Sequence, residues 1–160
     1  MSGFVIHALS VSDGILAIAP MPGRGGHYVE DMAHLHDWRP ALVMTMLSHP
    51  ELRATGHQDI GADLQDMGTR WMHVPVPDMG VPGPEAEEAW HMASNAALSA
   101  LQGKGRVLIH CMGGCGRSGM AALRLMIEAG EAPGAALERL RAVRPCAVET
   151  PEQLDWANRG

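Results

Sequence analysis

Residues His110 to Gly119 read His-Cys-Met-Gly-Gly-Cys-Gly-Arg-Ser-Gly, between the apolar run Arg106-Val-Leu-Ile109 and the helix-like stretch Met120 to Ile127. The run predicts a strand and the stretch a helix, so a cysteine and an arginine share a glycine-rich strand-to-helix turn. Five residues separate Cys111 from Arg117, and three of them are glycine. Backbone that free of side chains curls until successive N–H groups converge on one point, a cradle for a tetrahedral oxyanion. The following helix aims its positive end at the same point. A thiol held there is expected as the thiolate, the nucleophilic form. Arg117 adds a planar fork of donors that grips two oxygens of a phosphate. The chemistry these residues suggest is phosphoryl transfer to Cys111.

The elements that must position this turn follow from short apolar runs. Phe4 to Leu9, Ile15 to Ala19, Ala41 to Leu47, Arg70 to Val76 and Val107 to Ile109 are predicted strands, mostly too short for helices. Pro84 to Gln102 is the clearest helix, with proline in its first turn, Glu85, Glu87 and Glu88 where they complement the dipole, and Gly103 at its end. Ser118 to Ala129, Pro133 to Val143 and a short helix near Pro151 to Ala157 complete the set. Strands alternating with helices, then helices dominating the second half, predict an α/β fold with a central, mostly parallel sheet of about five strands covered by helices on both faces. In such sheets ligands sit at the carboxyl ends of strands, where Cys111 falls. Between the fourth and fifth strands, Pro75 to Pro84 carries four prolines and two glycines and is expected to be a defined loop.

The 160 residues fit one domain, residues 1–160, able to bury about 70% of the surface its unfolded chain would expose. A formal charge of −6 and an aromatic content of 4% exclude a nucleic-acid platform, which needs basic surface and stacking rings. No run of apolar residues is long enough for membrane insertion. Three cysteines and no secretory signal predict a cytoplasmic, reducing setting. The nine histidines are scattered without zinc-site spacing, so neither metal nor other cofactor is expected. Oligomeric state is not legible.

His-Cys, five residues, Arg-Ser resembles the signature of the cysteine-dependent protein tyrosine phosphatase superfamily, and Gly-Gly-x-Gly-Arg-Ser is most similar to its dual-specificity branch, near the kinase-associated phosphatases. The resemblance implies a dual-specificity phosphatase-like fold and a phosphorylated protein or peptide as substrate. It makes Cys111 the nucleophile and has Arg117, with backbone N–H groups from Met112, Gly113, Gly114, Cys115 and Gly116, hold the phosphate. It gives Ser118 the task of donating to the Cys111 sulfur, although a serine there would also cap the helix. His110 is implied to orient the loop from a buried position. Relatives carry a general acid on a separate loop, and Asp78 in Val76-Pro77-Asp78 stands in the matching place; turn chemistry alone would also account for an aspartate after proline. Asp59, Asp63 and Asp66 fall in a helix-like stretch and read more simply as a solvated face.

The tail Val143 to Gln153 is similar to the family's Arg-x-x-Ala-x-Glu-Thr-x-x-Gln stretch, and there Gln153 either places the attacking water or sits on a helix surface. The resemblance extends to Met21-Pro-Gly-Arg24 and to the strand Trp71 to Val76. Two positions depart from it: Cys115 stands where relatives often carry leucine or lysine, and Cys146 where glycine is common. Cys115 is either a small apolar filler or a partner that traps oxidised Cys111 as a disulfide. Competing functions are a phosphoinositide or small-molecule phosphatase, disfavoured by the absence of lysine at Met112, Cys115 and Gly116; a rhodanese-like sulfurtransferase, which has no use for Asp78 or Ser118; and a non-catalytic phosphoprotein-binding module, which would have lost one of these groups.

Overall fold

The computed structural model describes residues 3–160. Five strands form one sheet: β1 (His7–Val11), β2 (Gly14–Ala19), β3 (Leu42–Thr45), β4 (Arg70–His73) and β5 (Arg106–His110), in the order β1-β2-β5-β3-β4. β1 and β2 are an antiparallel hairpin, and β2, β5, β3 and β4 run parallel. β5 is therefore the middle strand, flanked by strands that enter long before it in the chain. Its carboxyl end, where Cys111 follows His110, opens into the crevice between the loops leaving β2 and β3.

Strand periodicity sorts the side chains between two cores. Leu16, Ile18, Leu42, Met44, Val107 and Ile109 face one layer, packed against α4 (Pro84–Gln102), α5 (Gly116–Glu128), α6 (Pro133–Val143) and α7 (Pro151–Ala157). Ala17, Ala19, Val43 and Leu108 face the other, against α1 (Tyr28–Trp38), α2 (His49–Thr55) and α3 (Ile60–Asp66). The sheet is thus covered on both faces, as its near-continuous apolar strands require. α1 and α2 are unassigned in the sequence reading, because His27, Tyr28, His34 and His36 break up an apolar stripe and α2 is under two turns long.

Three strand boundaries are corrected. The first strand begins at His7, paired with Ile18, rather than at Phe4, which instead buries its ring beside His34 of α1. The third and fourth stop at Thr45 and His73, three residues or fewer short of expectation, but their ladder carries on: Val74 and Val76 donate to the carbonyls of Thr45 and Met46. Those two bonds tie the start of the proline-rich loop to the sheet.

α5 is the central helix, buried from Gly116 to Leu123. It packs its first turns against the segment before α7 so closely that a β-carbon on Gly119 would lie 2.6 Å from the Val148 nitrogen and 2.9 Å from the Ala147 α-carbon. Backbone on that side has nowhere to go. Gly119→Ala is accordingly expected to lower stability by about 2 kcal/mol or more, as overpacking does, and a urea midpoint equal to that of the wild type would contradict the contact.

Candidate active site

Three elements bring the sequence-predicted residues together. β5 delivers His110 and Cys111, the loop Met112 to Cys115 turns the chain, and α5 begins at Gly116, two residues earlier than expected. Gly114 makes the turn with φ +76°, and a β-carbon there would meet the Pro20 nitrogen at 2.7 Å, so both conformation and space demand glycine. The loop is seated on the end of β2 by Met21, whose N–H donates to the Met112 carbonyl, and Arg24 lies over Gly113. This is the structural role of the Met21-Pro-Gly-Arg24 stretch.

The helix start is open for an anion. The residue at the N-cap is Cys115, which makes no capping hydrogen bond, so the first-turn N–H groups keep their donors. Ser118 does not cap. Its Oγ lies 3.2 Å from the Cys111 sulfur, buried.

Arg117 is 2% exposed and its charge is met from two directions. Nη1 donates to Glu51 Oε1 at 2.6 Å and to the Val76 carbonyl at 2.9 Å, and Nη2 donates to Glu51 Oε2 at 3.0 Å. Of its five N–H donors, two remain for an oxyanion. Asp78 approaches that side, its Oδ1 3.4 Å from Nη2, on an otherwise exposed loop. Burial alone would lower the Arg117 pKa, but the hydrogen bond to Glu51 and the charges of Cys111, Glu51 and Asp78 raise it further. Burial of Glu51 is likewise outweighed by Arg117 and Ser48, which hold its carboxyl below the usual range.

Glu51 is the residue that sequence reasoning missed. Its signal was present in Ser48-His49-Pro50-Glu51, a capping box: the Ser48 hydroxyl accepts from the Glu51 N–H while Glu51 accepts from Ser48. That motif predicts the helix and aims the carboxylate back toward its start. It does not say that an arginine from α5 waits there.

His110 sits at the end of a buried relay. Its pKa is pushed down to about 4, chiefly by burial and further by the charges of His73 and Arg117, against a hydrogen bond to the Cys111 carbonyl. A neutral imidazole whose Nδ1 faces that carbonyl at 3.4 Å must carry its proton on Nδ1. Nε2 then accepts from the Thr45 hydroxyl at 2.6 Å, and Thr45 accepts from the Trp71 indole at 2.8 Å. The relay holds the Cys111 peptide from below through its carbonyl.

Three expectations are corrected. Cys115 neither fills space nor pairs with Cys111: it forms a disulfide with Cys146, 31 residues away, with α-carbons 5.2 Å apart, and Cys111 is free. The reason is direction, since the N-cap position turns Cys115 to the loop before α7 while the Cys111 sulfur faces Ser118. Gln153 is not on a helix surface but fully buried. Its Oε1 accepts from Glu149 and Thr150, closing the cap of α7, and its Nε2 donates to the Gly80 carbonyl two residues beyond Asp78. Asp63 also departs from a solvated face by accepting from the Tyr28 hydroxyl. Among the described residues no group of three or more His, Cys, Asp or Glu is arranged to hold a metal ion.

Two outcomes follow from this geometry. Glu51→Ala leaves a buried guanidinium without its carboxylate and should cost about 3 kcal/mol in urea unfolding, with kcat/KM on an aryl phosphate down about 10²-fold through a misplaced Arg117; wild-type values would contradict the pairing. Between pH 6.5 and about 4 the unfolded chain takes up a proton that buried His110 refuses. Stability contributed above pH 6.5 is therefore lost as pH falls, on the order of 3 kcal/mol over the window. His7 and His73, also held low by burial, slope the same way, so His110→Asn should flatten the pH dependence without abolishing it.

The chain's resemblances agree with this arrangement. Residues 22–131 match the family model described as Tc-R-P, polymorphic toxin system, DSP-PTPase phosphatase. Cyclin-dependent kinase inhibitor 3 of Mus musculus is 35% identical over 94 residues, a match spanning 58% of this chain and 43% of that protein, so less than half the relative's length is represented. Among solved structures, kinase-associated phosphatase with its catalytic-site cysteine replaced by serine superposes with a TM-score of 0.87 at 21% identity, over 99% of this chain and 94% of that one, a likeness of fold. Tk-PTP in its active form superposes with a TM-score of 0.73 at 27% identity, over 96% and 95%. With a family model covering the chain from the Met21 loop through α5, and that fold around it, the chain belongs to the DSP-PTPase phosphatase family.

Proposed function

We propose that residues 1–160 form one phosphatase domain that hydrolyses phosphomonoesters of proteins through a cysteinyl-phosphate. The observation that carries this reading is the meeting of four groups at one helix start: the Cys111 sulfur 3.2 Å from the Ser118 hydroxyl, and the Arg117 guanidinium 3.4 Å from Asp78. The substrate phosphate lies in the loop, its equatorial oxygens held by N–H groups of Met112 to Arg117 and by the free edge of Arg117. Cys111 attacks phosphorus in line, the bond to the ester oxygen breaks, and the Asp78 carboxylic acid delivers its proton to that oxygen. Asp78, now a carboxylate, takes a proton from water as its oxygen attacks phosphorus. The sulfur–phosphorus bond breaks, Ser118 donates to the departing thiolate, and inorganic phosphate leaves. Gln153 straps the acid loop to α7 through Gly80, which supports a role in placing the attacking water.

Similarity to kinase-associated phosphatases supports a phosphoprotein substrate. The neutral side chains Met112, Cys115 and Gly116 support it over an inositol lipid, whose clustered phosphates call for cations inside the loop. Among the described residues no helix is long and apolar enough to cross a membrane. A cytoplasmic setting remains part of the proposal. There the Cys115–Cys146 bond is a transient species rather than a permanent staple, because cytosolic thiol systems keep structural disulfides rare.

Cys111→Ser is expected to abolish turnover of an aryl phosphate. Asp78→Asn should lower kcat by about 10² to 10⁴ with little change in phosphate affinity, and near-normal turnover in either variant refutes the assigned role. Phosphotyrosyl and phosphoseryl/threonyl peptides should be turned over faster than inositol phosphates; the reverse order overturns the protein-substrate reading.

A further inference from the structure

The segment between α6 and α7 holds the outer rim of the phosphate-binding loop at three successive carbonyls, those of Gly113, Gly114 and Cys115. Arg144 Nε donates to the Gly114 carbonyl and Nη2 to the Gly113 carbonyl, each at 3.1 Å, and the Val148 N–H donates to the Cys115 carbonyl at 3.2 Å. In a trans peptide the C=O and the next N–H point opposite ways. Drawing three carbonyls outward therefore turns the N–H groups of Gly114, Cys115 and Gly116 inward, to the place of the phosphate. The fourth tether of the same segment is covalent, the Cys115–Cys146 disulfide. It joins the N-cap of α5 to an exposed residue, so an external thiol can reach it.

We propose that Cys115 and Cys146 are a reversible thiol–disulfide site that clamps the phosphate-binding loop: closed, it holds the N–H groups converged on the anion, and opened by a dithiol it lets the glycine-rich loop relax and weakens phosphate binding. This rests on reading the loop as the phosphate site. Opening is a two-electron exchange: a thiolate of the dithiol attacks one sulfur, the Cys115–Cys146 bond breaks, and the second thiol resolves the mixed disulfide. The pair leaves as two thiols, having taken two electrons and two protons, and the dithiol becomes a disulfide. Three glycines leave the loop many alternative shapes once the covalent tether is gone, while Arg144 and Val148 keep it near its place. The effect is a graded loss of affinity rather than loss of the site. Because Cys115 is engaged by Cys146, the closed clamp leaves Cys111 as the free cysteine.

The test compares the full chain as isolated under air with the same preparation treated with dithiothreitol. Denatured and titrated, the closed form should show one thiol and the treated form three, matching one disulfide and free Cys111. The Kd of inorganic phosphate, read by calorimetry so that no turnover is needed, should rise roughly two- to tenfold on opening, the size of one net hydrogen bond. Cys146→Ser should bind phosphate as weakly as the reduced wild type and ignore dithiothreitol. Three thiols before reduction, or equal phosphate affinity in the two states of the wild type, overturns the clamp, and the wild-type comparison stands whether or not the variant folds. Turnover of an aryl phosphate is followed separately. Its absence in both states would sink the phosphatase reading, whereas the thiol count and phosphate affinity decide the clamp.

Discussion

A guanidinium cannot be buried without a counter-charge, and Arg117 of α5 is almost wholly buried. Its partners come from elsewhere in the chain: Glu51 from α2 supplies the carboxylate and Val76, at the head of the proline-rich loop, a carbonyl. The pair is geometrically strong, two parallel N–H to oxygen bonds across a planar fork. Because each partner sits on a different element, satisfying one charge docks α2 and the proline-rich loop onto the start of α5. Asp78 is carried into place by that same docking, since it lies two residues past the carbonyl that Arg117 holds.

The rest of the site hangs from backbone rather than charge. β5 ends in the middle of the sheet, and the ladder beyond β3 and β4 brings Val74 and Val76 to the same level. The loop between Cys111 and Gly116 is then held on its two rims. Met21 receives it on the β2 side, and Arg144, Val148 and the Cys115–Cys146 bond receive it on the α6–α7 side. Below it, the Trp71–Thr45–His110 relay sets the Cys111 peptide. An anion cradle made of glycine is floppy by itself. Here each carbonyl that would otherwise turn inward has a donor outside to hold it.

Legibility in the sequence followed the range of the interaction. The parallel sheet, the four later helices and the loop at Pro75 to Pro84 were readable, because apolar runs, prolines and helix-ending glycines act within a few residues. The first strand begins three residues later than the apolar run suggests, because Phe4 is apolar for another reason, packing on His34 of α1. α2 was missed because it is short and only its capping box announces it. Spacing and family likeness single out Asp78, Arg117 and Cys111, and the fold brings Asp78 within 3.4 Å of the Arg117 guanidinium. Gln153 was found as a position but not as a buried strap, since nothing local says that the Gly80 carbonyl lies above it.

What the sequence by itself determined is the local device: a strand, a turn of three glycines and a helix, with the thiol at its mouth and a hydroxyl seven residues on, whose approach to the sulfur the family resemblance implied. These follow from backbone sterics and helix geometry, which act between neighbours. The tertiary structure alone decided the partners. That Arg117 meets Glu51, that Cys115 meets Cys146 rather than Cys111, and that Gln153 meets Gly80 of the proline-rich loop depend on which distant segments the sheet order and helix packing lay side by side. A side chain's type says what it can bond to, and only the fold says what is within reach.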